Sequence, residues 1–246
     1  MLGIKEAFKR IYAGENWLTK HSIIFVITGI TSIFSSYMNT LSNQQTPDPS
    51  IIGPCFCGLL ALLLITFYLC GYGFNITHNS FDETREEILP EFDRSHWGTF
   101  GKAFPLLFVW GLYIIILAIF AAVTPIFLGS AGKIVAPILF FLIIIVCSFL
   151  QFVYIKFAKN FDKKGLFNIT LPFKFIKPTI GSLLMLYLKL LPLIIISLIL
   201  NVFSESSSVF AYILAAVGGY FGYILSVIII FCSVQIYKAK VERIEE

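Results

Sequence analysis

Six of the chain's fourteen acidic residues fall in one short polar island, Asn75 to Lys102, which reads NITHNSFDETREEILPEFDRSHWGTFGK. Its carboxylates Asp82, Glu83, Glu86, Glu87, Glu91 and Asp93 stand close to His96, and paired acids near a histidine are residue types that bind metals or exchange protons. The spacing favours a plainer reading. Arg85 is spaced from Asp82 and from Glu86 and Glu87 as on an ordinary solvated helix, and charge runs of this kind are wet faces. Catalysis needs mutually placed groups, and no G-x-S-x-G, Walker, H-E-x-x-H or C-x-x-C pattern supplies them. The expectation is a non-enzymatic protein with no metal and no cofactor.

Five cysteines, Cys55, Cys57, Cys70, Cys147 and Cys232, all lie in apolar runs, where a thiol behaves as a small hydrophobe. Cys55 and Cys57 alone cannot make a structural metal site, which wants four ligands. His21 and His78 flank apolar runs and have no partner in sequence.

The surroundings of the island explain the shortage of chemistry. With 58% hydrophobic residues, 13% charged ones and a mean hydropathy of +0.87, the chain lies far from soluble usage, where roughly a quarter of residues are charged. It reads as a single membrane domain over residues 1–246, all-α: a polytopic integral membrane helical bundle with about six transmembrane helices plus short interfacial amphipathic helices. The spans are expected at about 22–38, 51–75, 103–128, 133–157, 181–203 and 209–237, with long loops at 76–102 and 158–180. Residues 1–21 place Ile4, Phe8, Ile11 and Tyr12 on one helical face, with Lys5, Lys9 and Arg10 beside or opposite it. Such a helix lies in the interface, and Trp17 follows as an interfacial anchor at headgroup level. Nothing like A-x-A follows the first apolar run, so it reads as an uncleaved span.

Turns are expected at residues 39–50, at Gly129 to Gly132 and at residues 204–208. Pro192 should kink the fifth span. Gly218 and Gly222 form a G-x-x-x-G that lets helices approach closely inside the bundle. The connection before the fifth span mixes Phe and Ile with Lys, which again reads as interfacial structure. Leu89-Pro90 in the island and Leu171-Pro172 in that connection hint at two related halves, parallel rather than inverted.

Lys and Arg set the orientation. Four lie before the first span, three in the island, six in the fourth-to-fifth connection and three in the tail, against Lys133 alone on the other side. Both termini and both long loops are therefore expected in the cytoplasm. The basic residues are spread over short segments beside apolar runs, a pattern of membrane loops and not of nucleic-acid binding.

One charge falls inside a span. Lys189 lies about seven residues into the fifth, roughly 10 Å at 1.5 Å per residue. An intramembrane charge suggests a functional site, yet this depth lets the stem snorkel to the headgroups, and no span holds an acid to pair with it.

Three segments carry a family resemblance: NWLTKHSIIF, ILPEFDRSHWGTFGKAF and the connection KNFD…FKFIKPTIGSLL. In their order they resemble the family of bacterial and archaeal membrane proteins called domain of unknown function 4013. The middle segment is the most specific, although Ser95 and His96 separate Arg94 from Trp97 here. The resemblance implies a six-span protein of a cytoplasmic membrane and no assigned activity.

The reading that follows is a scaffold or partner subunit whose contacts are the lipid bilayer and a protein on the cytoplasmic face. The candidate contact residues are Glu86, Glu87, Glu91, Asp93, Arg94 and Trp97. One alternative is a transporter-like subunit with Pro105, Pro125, Pro137 and Pro192 breaking helices around a cavity. The other is a lipid-acting enzyme with polar groups converging at headgroup depth.

Overall fold

The computed structural model describes residues 3–42, 49–203 and 209–242. In a bilayer every backbone N–H and C=O must be satisfied within its own segment, so the apolar runs form helices. They are α1 (Ile4–Ile11), α2 (Trp17–Ser42), α3 (Pro49–Asn79), α4 (Ser95–Asn160), α5 (Leu171–Phe203) and α6 (Val209–Tyr237), followed by a π-helical turn, Lys238–Glu242. Among the described residues, six helical stretches are long and apolar enough to cross a membrane: Trp17–Ser35, Gly53–Asn79, Ser95–Phe127, Val135–Asn160, Leu171–Leu200 and Phe210–Glu242. The protein is a multi-pass, all-α membrane bundle.

Helix α4 is two helices that double back at Gly129, where φ is 55° and ψ is −123°. Only glycine takes that backbone conformation freely. The reversal is so tight that a Cβ on Gly132 would lie 2.7 Å from Pro125 Cα. The turn expected at Gly129 to Gly132 is present. Of the other two expected turns, residues 43–48 and 204–208 lie outside the described residues.

Close packing of α2 on α6 uses small residues. A Cβ on Gly219 would lie 3.0 Å from the Thr28 carbonyl, and one on Gly29 would lie 3.3 Å from Ala216 Cβ. Gly222 looks toward Ser197 of α5 instead.

The helices run past the apolar runs at one end of the bundle. Helix α3 continues to Asn79 because its last turns bond to the segment that follows: Asn79 Nδ2 donates to the Ile88 carbonyl at 3.1 Å, and Ser80 Oγ to the Ile76 carbonyl at 2.8 Å. Residues 80–94 and 161–170 are what remains of the two long connections as loop. Helix α1 does not lie free in the interface. Its Ala7 and Ile11 are fully buried, Gly3 meets Phe231 of α6, and the Arg10 guanidinium sits over the Phe231 ring at 5.6 Å. Phe8 and Tyr12 stay exposed for the bilayer.

The buried core is concentrated at this end, where Tyr72, Trp110, Phe152, Phe157, Phe231 and Tyr237 are all nearly inaccessible. Away from it, Leu63, Ile119, Phe120, Phe141, Leu188 and Leu198 face outward, an apolar surface suited to acyl chains.

Candidate functional site

The polar island folds over the helix ends as a cap, and its centre is Lys20. This lysine, near the start of α2, is only 3% exposed. Its Nζ lies 2.7 Å from Glu87 Oε1 and 2.8 Å from Glu91 Oε1, and it donates to the Leu89 carbonyl at 3.0 Å. The three donors of an ammonium are thus all used, which a buried lysine requires. The loop bends around it because Ile88 and Leu89 are themselves buried beside the helix ends.

The chain termini hold the rest of the cap. Arg10 of α1 donates to the carbonyls of Asp82, at 3.1 Å, and Glu83, at 2.8 Å, while its own carbonyl accepts the Ile88 N–H at 3.4 Å. Lys238 pairs with the Glu83 carboxylate and donates to the Phe81 carbonyl at 3.3 Å. Among the described residues, the ion pairs that leave the island therefore run to Lys20 and Lys238 rather than to the basic connection.

All three histidines are structural donors. His96 is buried; its Nε2 donates to the Glu91 carbonyl at 2.7 Å, and its Nδ1 accepts from Asn75 Nδ2 at 2.7 Å. Thr99 Oγ1 completes this network on Asn75 Oδ1 at 3.2 Å. His21 binds the Ile11 carbonyl through Nε2 at 3.1 Å and the Tyr220 hydroxyl through Nδ1 at 2.7 Å, and stacks on Tyr12. His78 Nδ1 donates to the Ala158 carbonyl at 3.0 Å.

Three carboxyls of the cap are held below the usual carboxylate range. For Asp82 the main cause is the hydrogen bond from the Thr84 hydroxyl, for Glu83 that from Lys238, and for Asp93 that from the Ser95 hydroxyl. Asp93 also accepts the Ser95 backbone N–H at 2.8 Å, at the first residue of α4.

The candidate contact residues thus divide. Glu87 is half-buried against Lys20, and its carboxylate also lies where a Cβ on Gly14 would fall. Glu91 reaches the same lysine while its side chain stays 65% exposed. Glu86, Arg94 and Asp93 are exposed. Trp97 is 42% exposed and leans on Tyr68, ring centres 5.8 Å apart. Trp17 is half out of the bundle with Tyr12 and His21 at its edge. Lys189 is exposed on the outer face of α5, next to exposed Leu188.

A cavity of about 270 Å³ lies between α3, α4 and α6, bordered by Gly73, Thr77, Leu107, Gln151, Tyr154 and Ser233. Neither Lys189 nor Pro105, Pro125, Pro137 or Pro192 lines it. Among the described residues no three His, Cys, Asp or Glu side chains come together as a metal site. Cys55 and Cys57 are free thiols on α3.

Lys20, Arg10 and Asn75 are the residues sequence reasoning missed as parts of the site. By sequence Lys20 is one of the four basic residues before the first span and nothing more. A lysine placed just ahead of an apolar run, with two glutamates four apart in a polar segment expected on the same side of the membrane, is the signal that could have found it. No family model, no curated protein and no solved structure matches the chain.

Proposed function

We propose that this chain is a non-enzymatic membrane scaffold or partner subunit, and that the capped end of its bundle is a cytoplasmic docking face. The observation that carries the reading is the Lys20 clamp, which gives the island a fixed shape while leaving Glu86, Arg94 and the outer edge of Glu91 to the solvent. A preorganised surface binds without losing the ordering entropy of a free loop. The balance of exposed acids, Asp82, Glu83, Glu86, Glu91 and Asp93, suits a partner that presents lysine or arginine. The Lys and Arg distribution supports a cytoplasmic position for this end and both termini. The three quoted segments support membership of the domain of unknown function 4013 family, and with it a bacterial or archaeal cytoplasmic membrane.

The test uses a photo-crosslinking amino acid placed in living cells at Glu86 or Arg94, with Ile119 on the lipid face as control. A discrete protein adduct at the first two positions, lost on Glu86→Lys with the protein still inserted, is expected. Adducts to lipid alone at all three positions would contradict a docking face.

A further inference from the structure

We infer that the outer face of α5, from Lys174 downward, is a binding site for an anionic phospholipid, its phosphate on Lys174 and Lys177 and an acyl chain along the helix below them. Residues 161–180 hold four lysines and a single carboxylate, Asp162, whose Oδ1 accepts the Lys164 backbone N–H at 3.0 Å. Among the described residues neither Lys174 nor Lys177 forms an ion pair, and both are exposed. Two such ammonium groups one helical turn apart complement a phosphodiester, and basic groups at a membrane surface attract anionic lipid.

The depth of this segment suits a headgroup. The island ends at Arg94, where α4 begins, whereas the second connection is pinned to α4 further down: Trp110 Nε1 donates to the Leu166 carbonyl at 3.0 Å. At 1.5 Å per residue, Trp110 lies about 22 Å further along α4 than Ser95. The connection is therefore held well below the cap, in the part of α4 where Phe104 and Phe108 turn outward. Its own large apolar residues Phe167, Ile169, Phe173 and Ile180 are exposed too, beside the lysines. Apolar side chains interleaved with lysine mark a segment at the boundary of headgroups and acyl chains.

The helix below the lysines is shaped for the rest of the lipid. Phe175, Thr179, Leu183, Leu186 and Leu190 are buried and set the inner face of α5. Lys174, Lys177, Gly181, Leu184, Met185 and Leu188 recur at three- and four-residue spacing on the opposite face, and all are exposed. At Gly181, one turn below Lys177, a Cβ would meet nothing within 4 Å, so hydrocarbon can lie against the backbone there. The loop that leads into this face is ordered: Asn168 Oδ1 accepts the Thr170 N–H at 3.0 Å, and its carbonyl accepts the Leu171 N–H at 2.9 Å. A phospholipid supplies both the anion and the hydrocarbon that such a surface takes. Lys189 is twelve residues beyond Lys177, about 18 Å along the helix, too far to share the phosphate.

The experiment uses the full chain in phosphatidylcholine nanodiscs doped with one of two probes, phosphatidylglycerol or phosphatidylcholine, each bearing a diazirine near the top of one acyl chain. Labelled residues are mapped by mass spectrometry. At low probe content, labelling of residues 173–188 should favour the phosphatidylglycerol probe by about thirty-fold, about five-fold for each lysine. The double variant Lys174→Gln, Lys177→Gln should lose that preference. Lys5→Gln, Lys9→Gln, which removes the same charge from exposed positions on α1, should keep it. An equal fall in the two double variants would overturn the proposal, because attraction to total charge would then explain the labelling. So would equal labelling of residues 173–188 by the two probes in the unmodified protein, a result that does not depend on any variant folding.

Discussion

Lys20 and Glu87 stand 67 residues apart in sequence, and their Nζ and Oε1 atoms are 2.7 Å apart. The pair joins the first membrane helix to the polar island, with Glu91 and the Leu89 carbonyl on the same ammonium. Removing one partner of a buried ion pair leaves the other uncompensated, which costs about 3 to 5 kcal/mol when both are fully buried. Lys20→Ala should sit at or below the low end of that range, because the glutamates are partly exposed. A fall in thermal stability much larger than that of Glu86→Ala is the expected result. Equal stability of the two variants would remove the clamp from the account.

Helix packing gives a contrast between neighbouring glycines. Gly71→Ala forces a methyl against the His96 backbone and should destabilise by about 1 to 3 kcal/mol or more, the range for overpacking. Gly73→Ala has room, and should be neutral or stabilise by about 0.5 to 1 kcal/mol through helix propensity. Denaturation of the two variants side by side in one detergent measures the difference.

Much of the fold was legible in the sequence and the cap was not, for one reason. Six helices follow from apolar runs because a bilayer leaves the backbone no alternative, and the Gly129 turn follows from the glycine spacing. The island partners of Lys20 and Arg10 are 67 and 72 residues or more away, and no local pattern encodes such a pairing. The amphipathic reading of residues 1–21 found a helix but could not show that Ala7 and Ile11 face α6 rather than lipid. The carboxylates looked like a wet face, and Glu86 is one, while Glu87 turned inward because Lys20 was there to receive it.

Acid should loosen the cap. Asp82, Glu83 and Asp93 have folded pKa values lowered below their unfolded ones by hydrogen bonds to Thr84, Lys238 and Ser95. Such groups contribute stability above the unfolded value of about 4, and that contribution disappears as pH falls through the lower folded value. The melting temperature should therefore drop below about pH 4, and the drop should be shallower in a Glu83→Gln, Asp93→Asn double variant. Identical pH profiles would show that these carboxyls do not hold the cap.

The second connection depends on Trp110. Its indole Nε1 donates to the Leu166 carbonyl at 3.0 Å from a fully buried position. Trp110→Phe keeps most of the apolar volume and leaves that carbonyl unpaired, a loss of about 1 to 3 kcal/mol. Proteolysis between residues 161 and 170 should accelerate, while cleavage in the 80–94 segment should not change.

The most direct test of the account is hydrogen exchange over residues 81–94, comparing the unmodified protein with Lys20→Met. A clamped cap, whose Ile88 N–H is bonded to the Arg10 carbonyl, should exchange slowly in the unmodified chain and much faster in the variant. Exchange at free-loop rates in both proteins would contradict it.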